Sequence, residues 1–117
     1  MSPTAEEFFE INADYFKLSE KQKIFGEYFL ECSLIDYNML KYKQSTIAIT
    51  CGYITMKYFN LKGIKLILDN ANFGIKRKEI INCSKELCLL VKNLNKSSLG
   101  VVKKIVVNKK INNFGEL

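Results

Sequence analysis

Histidine and tryptophan are absent from the 117 residues, proline occurs once, and the six glycines are scattered. Each scarcity closes off a class of function. Without histidine the chain lacks the commonest general base and metal ligand, and without clustered glycine it lacks a phosphate loop. Enzyme activity is therefore not expected, and no catalytic, cofactor-binding or metal-binding residue is assigned. Cys32, Cys51, Cys83 and Cys88 include no Cys-x-x-Cys pair, so reduced core thiols behaving as small hydrophobes are expected rather than zinc ligands. Cys83 and Cys88, five residues apart, would point from different faces of a helix. No apolar run reaches membrane-spanning length and the acidic start does not resemble a signal peptide, so an intracellular protein with no membrane partner is expected.

Arginine is scarce as well. Of the 18 basic residues, Arg77 is the sole arginine. Lysine is the poorer fork for phosphate and base edges, and a chain rich in Lys, Asn and Ile also reflects A+T-rich codons, which weakens a nucleic-acid reading without removing it. Charge is unevenly placed. Residues 1–40 hold eight acids and three bases, a net of −5, whereas residues 41–117 hold fifteen bases and four acids, a net of +11. Lys76, Arg77 and Lys78, together with Lys103 and Lys104, are the candidate basic docking surface; a solvated face is the competing reading. Glu6, Glu7, Glu10 and Asp14 could be read as paired carboxylates, but an acidic helix start favoured by the helix dipole explains them.

What the chain has in quantity is apolar sequence at helical spacing. At 48% hydrophobic and 26% charged, it can bury one core of ordinary size. Ser45–Phe59 carries one formal charge, at Lys57, and its apolar and small positions run all the way round, as in a buried helix. Ser45 is a candidate N-cap, and Ser45, Ile47, Ala48, Cys51 and Ile54 are the candidate central-helix core. Thr, Ile and Tyr also favour strands, but fifteen residues exceeds an ordinary strand.

Around that segment the pattern predicts further helices. Thr4 and Glu7 have capping-box spacing, followed by Phe8, Phe9, Ala13 and Phe16. Ser19 and Gln22 repeat the spacing before Ile24, Phe25, Tyr28, Phe29, Cys32 and Ile35, in a helix expected to reach Asp36 or Tyr37. A short linker through Lys43 makes that helix a neighbour of the central one. Ile64, Ile67, Leu68 and Ala71 predict a short fourth helix. Ile80, Ser84, Leu87, Cys88, Val91 and Leu94 give the stripe of a fifth, with Lys78, Lys85 and Lys92 outward. Leu99, Val102, Ile105 and Val106 suggest a last helix against a competing strand propensity. The expected architecture is an all-α bundle of five to six helices around a buried central helix, spanning residues 1–113, with 114–117 as a short tail.

The order of residues resembles the C-terminal cyclin box of the mitotic, A/B-type cyclins. Glu31-Cys32-Ser33-Leu34-Ile35-Asp36-Tyr37 is similar to the end of that family's second helix, and Ser45-Thr46-Ile47-Ala48 resembles the opening of its central helix. Lys43 and Gln44 stand where the family carries proline. Asn72-Phe73-Gly74 sits where the family turns into its fifth helix, Ile80 to Leu94 looks like that helix, and Leu99 to Lys110 resembles its basic closing segment. The resemblance implies a non-catalytic, cofactor-free regulatory module, the second half of a cyclin that binds and activates a cyclin-dependent kinase in the nucleus or cytoplasm. It implies that most kinase contact belongs to an N-terminal box with no counterpart in these residues. The alternative is the same fold as used by transcription factor IIB, which binds duplex DNA and the TATA-binding protein.

Overall fold

Thr4 and Ser19 decide where the first two helices begin. In the computed structural model, which describes residues 4–69 and 74–94, the Thr4 hydroxyl accepts from the Glu7 amide at 3.2 Å and the Glu7 carboxylate accepts from the Thr4 amide at 3.3 Å. This opens α1, Ala5–Tyr15. Ser19 and Gln22 repeat the reciprocal pair at 3.3 and 2.8 Å, opening α2, Glu20–Ser33. Each such cap contributes about 1 kcal/mol by satisfying amides that have no partner inside the helix.

Between them the chain reverses on Lys17, which takes the left-handed conformation at φ 56°. The Lys17 amide donates to Asp14 O at 3.2 Å and the Leu18 amide to Ala13 O at 2.9 Å, the paired bonds of a Schellman stop. The central helix ends in the same way. Asn60 adopts φ 55° while the Leu61 amide donates to Met56 O at 2.8 Å.

The second helix stops at Ser33, short of Asp36. There the Leu34 and Ile35 amides donate to Glu31 O and Cys32 O three residues back, at 3.2 and 3.3 Å, which tightens and ends the helix. Asp36 is extended and its side chain accepts from the Asn38 amide, so it starts the next element, a 3-10 turn over Tyr37–Lys41. A short polar side chain that can bond the backbone two residues ahead favours a start over a helix interior.

The central helix α3 spans Gln44–Tyr58, so the strand reading is set aside. Ser45 is not its N-cap. Lys43 holds that position without a side-chain bond; the helix begins two residues earlier than a Ser45 cap would give, which places Ser45, half-buried, in the first turn. Ile47, Ala48, Cys51 and Ile54 are buried. Every residue from Thr46 to Met56 is buried, and α3 packs against α1, α2, α4 (Ile64–Asp69) and α5 (Arg77–Leu94).

Burying threonines in that helix requires partners for their hydroxyls. Thr50 and Thr55 donate to the carbonyls of Thr46 and Cys51 at 2.7 and 2.8 Å, and Thr46 donates to the Glu79 carboxylate of α5 at 2.8 Å. Gly26 of α2 lies where α1 and α3 meet: a Cβ there would fall 2.3 Å from the Phe9 ring and 2.8 Å from the Thr55 hydroxyl oxygen.

The buried stripe of α5 is Ile80, Cys83, Ser84, Leu87 and Val91. Cys88, expected in that stripe and among the core thiols, is exposed, while Cys32, Cys51 and Cys83 are buried. Cys83 lies three residues after Ile80 and four before Leu87, on their face; Cys88 is a further 100° round. Ile35, expected on the apolar face of the second helix, is also exposed, because it follows the helix end.

The architecture is all-helical over the described residues. Among the described residues, helices of eleven residues or more number four, below the five to six expected, because Ile64–Asp69 makes a helix of only six residues. The expected helix from Leu99, with Val102, Ile105 and Val106, lies outside the described residues, as do Ala71, the Asn72-Phe73 turn and the tail.

Candidate docking surfaces

The 3-10 turn exposes apolar side chains because of its own period. Residues three apart fall on one side of such a turn, so Met39 points inward, 2% exposed, while Tyr37 and Leu40 point outward at 84% and 73%. Leu34, 63% exposed, joins them from the end of α2. Behind Leu34 and Leu40 is an apolar groove of about 390 Å³, lined also by Ala5, Met39, Tyr42 and Ile47, with Glu6 at its rim. A cluster of large exposed apolar side chains beside a groove is the mark of a contact surface.

This face is held to α5 through Glu86. Lys41 Nζ lies 2.6 Å from Glu86 Oε1, and the Tyr42 hydroxyl donates to Glu86 Oε2. The Lys41 ammonium, with the Tyr42 hydroxyl, holds the Glu86 carboxyl below its ordinary range. Burial, with the Glu86 carboxylate beside it, pushes the Tyr42 hydroxyl up. Both groups keep the protonation state that maintains the link at neutral pH.

Burial raises Cys51 and pushes Cys83 up to about 11, and partial desolvation raises the exposed Cys88, so these three are thiols, not thiolates, at neutral pH. The described residues contain no cluster of metal-ligating side chains and no helix long and apolar enough to cross a membrane.

The acidic start forms an open helix face, with Glu6 and Glu10 lining a cleft together with Glu27 and Glu31 of α2. Glu7 serves the cap, and Glu10 and Asp14 face Lys23 of α2 at 3.9 and 3.6 Å, a solvated network of modest energy. Lys76, Arg77 and Lys78 are exposed at the start of α5; Lys103 and Lys104 lie outside the described residues. The exposed Leu34–Tyr37–Leu40 face went unread in sequence, because a run of apolar residues at a helix end does not say which of them turns inward. Asp36, a helix starter inside that run, was the available signal.

The family model "Cyclin, C-terminal domain" matches residues 3–116. The chain belongs to the cyclin C-terminal domain family. Comparison with curated proteins and with solved structures gave no match. The cyclin domain is a regulatory, non-catalytic fold.

Proposed function

We propose that the chain is the second cyclin box of a mitotic, A/B-type cyclin and helps bind and activate a cyclin-dependent kinase in cell-cycle control. The observation that carries this reading is the family match over residues 3–116. The order of Glu31–Tyr37, Ser45–Ala48 and Ile80–Leu94 supports the mitotic subclass. In this reading residues 1–113 act as one domain without catalysis of their own, in the nucleus or cytoplasm.

The mechanism is differential contact. A regulatory subunit shifts a kinase toward its active conformation only by binding that conformation more tightly. A second box does so largely by holding the first box in place, and the exposed apolar Leu34, Tyr37 and Leu40 support a role for that face in a protein contact.

The test is kinase activity of a cyclin-dependent kinase supplied with an N-terminal cyclin box, with and without this chain fused after it. The fused chain is expected to raise kinase binding and phosphoryl transfer several-fold, and Tyr37→Asp with Leu40→Asp to reduce that gain. No gain in either binding or rate overturns the reading. The exposed Lys76, Arg77 and Lys78 favour a second reading, duplex DNA binding. Binding that falls steeply between about 50 and 200 mM salt would support it, and none at low salt would remove it.

A further inference from the structure

A second groove, also of about 390 Å³, lies on another face, between α2, α3 and α5. Its apolar floor includes Phe29, Tyr53 and Ile54, and Tyr58, 58% exposed, stands at its edge. Its charged lining is Lys57 of α3 and Lys85 of α5, with no carboxylate. Both lysines are exposed.

The basic character extends along the helix. Lys78 and Lys92 are seven residues before and after Lys85, which returns them to the same face about 10 Å away on either side; both are exposed. The acids of α5 face elsewhere, Glu79 toward Thr46 and Glu86 toward Lys41 and Tyr42. They do not neutralise this rim.

We propose that this groove docks a short acidic and apolar peptide segment of a partner protein. An apolar side chain of the segment sits on Phe29, Tyr53 and Ile54, and neighbouring carboxylates meet Lys57 and Lys85. An extended peptide advances about 3.3 Å per residue, so acids three residues to either side of the anchor reach Lys78 and Lys92. The chain's formal charge of +6 steers such a segment toward it.

The same lysines could attract nucleic acid, but the rings argue for a peptide. Base stacking needs open ring faces. Phe25, which joins the groove wall, is stacked on Tyr58 at 4.4 Å and 25°, and Lys57 lies over the Tyr53 ring at 5.8 Å. A second copy of the chain is a poorer occupant. Among the described residues its acidic, apolar stretch is α1, whose Phe9 and Ala13 are buried; Ile11 and Tyr15 are exposed, but the neighbouring acids Glu10 and Asp14 already face Lys23 of their own chain, on a helix rather than an extended segment.

The proposal is independent of the kinase reading, and its test needs no kinase. Eleven-residue synthetic peptides with a central Leu or Phe, carrying acid, neutral or basic residues one and three positions away, are titrated against the full chain by fluorescence polarisation. Peptides acidic at all those positions should bind tightest, with affinity falling as salt rises. Lys57→Glu with Lys85→Glu should weaken them at least tenfold and shift preference toward basic peptides, with helicity and melting temperature unchanged. Lys78→Gln with Lys92→Gln should cost two- to threefold. Lack of charge preference, indifference to the double reversal, tighter binding of a single-stranded oligonucleotide, or self-association that occupies the groove would each overturn it.

Discussion

Helices α3 and α5 pack against each other but differ in composition and have opposite tasks. Eleven of the fifteen residues of α3 are buried, and all of those but Tyr53 and Met56 are small or β-branched, with threonine hydroxyls returned to its own carbonyls or to Glu79. Only five of the eighteen residues of α5 are buried. Its stripe faces α3, and its outer side presents Lys78, Lys85 and Lys92. One helix holds the fold and the other gives it a surface. Substitutions in α3 should therefore cost stability, and substitutions on the outside of α5 should cost recognition at little cost in stability.

The most damaging break in that division is a charge placed inside α3. Ala48 and Cys51 have no exposed surface, so Ala48→Arg or Cys51→Arg forces an unpaired cation into the core, and the domain should lose its cooperative melting transition. A parental melting temperature in either variant would end the central role given to this helix.

Next comes Gly26→Ala, which asks whether the support of α3 lies in its neighbours as well. The added methyl meets the Phe9 ring, itself only 1% exposed, so neither side has room to move. Denaturant unfolding should show a loss of about 1–3 kcal/mol, the range for overpacking a tight core.

On the α5 side the effects should be smaller. Glu86→Gln removes the charge that binds Lys41, at a partly exposed site whose ion pair is worth about 0.5 kcal/mol after solvent screening. The sign follows from the direction of the shift. A carboxyl held below its ordinary value of 4.5 stabilises the fold above that pH, and the contribution fades as pH falls through the folded value. The variant should be slightly less stable at pH 7 and lose less on acidification. The alkaline limb has the opposite origin. Tyr42 and Cys83 are raised above their ordinary values of 10.0 and 9.0, so their contribution is full below those values and lost as pH rises. Tyr42→Phe should flatten the alkaline melting profile.

The smallest expected effect is a gain. Lys17 occupies a left-handed position that glycine fills without strain, so Lys17→Gly should raise stability by up to about 1 kcal/mol. Asn60→Gly, where the resident residue already tolerates that conformation, should gain less.

Much of the scaffold was legible because it rests on local rules. The Thr4/Glu7 and Ser19/Gln22 boxes are fixed by spacing alone, and the burial of Ile47, Ala48, Cys51 and Ile54 follows from a fifteen-residue run with one charge. What escaped depends on neighbours. The close approach at Gly26 is set by the tip of Phe9 from another helix, and the inward turn of Cys83 in place of Cys88 depends on how α5 is rotated against α3. The exposure of Leu34, Tyr37 and Leu40 depends on α2 stopping at Ser33. Nor could spacing show that Lys57 and Lys85, 28 residues apart in sequence, face each other across one aromatic groove.

Amide hydrogen exchange under native conditions tests the division between the two helices most directly. The amides of Ile49 to Thr55 in α3 should be the slowest in the chain, exchanging only through global unfolding, while those of α5 open earlier through smaller fluctuations. If α5 amides exchange more slowly than those of α3, the post of this fold is the outer helix, and the account of where stability ends and recognition begins is wrong.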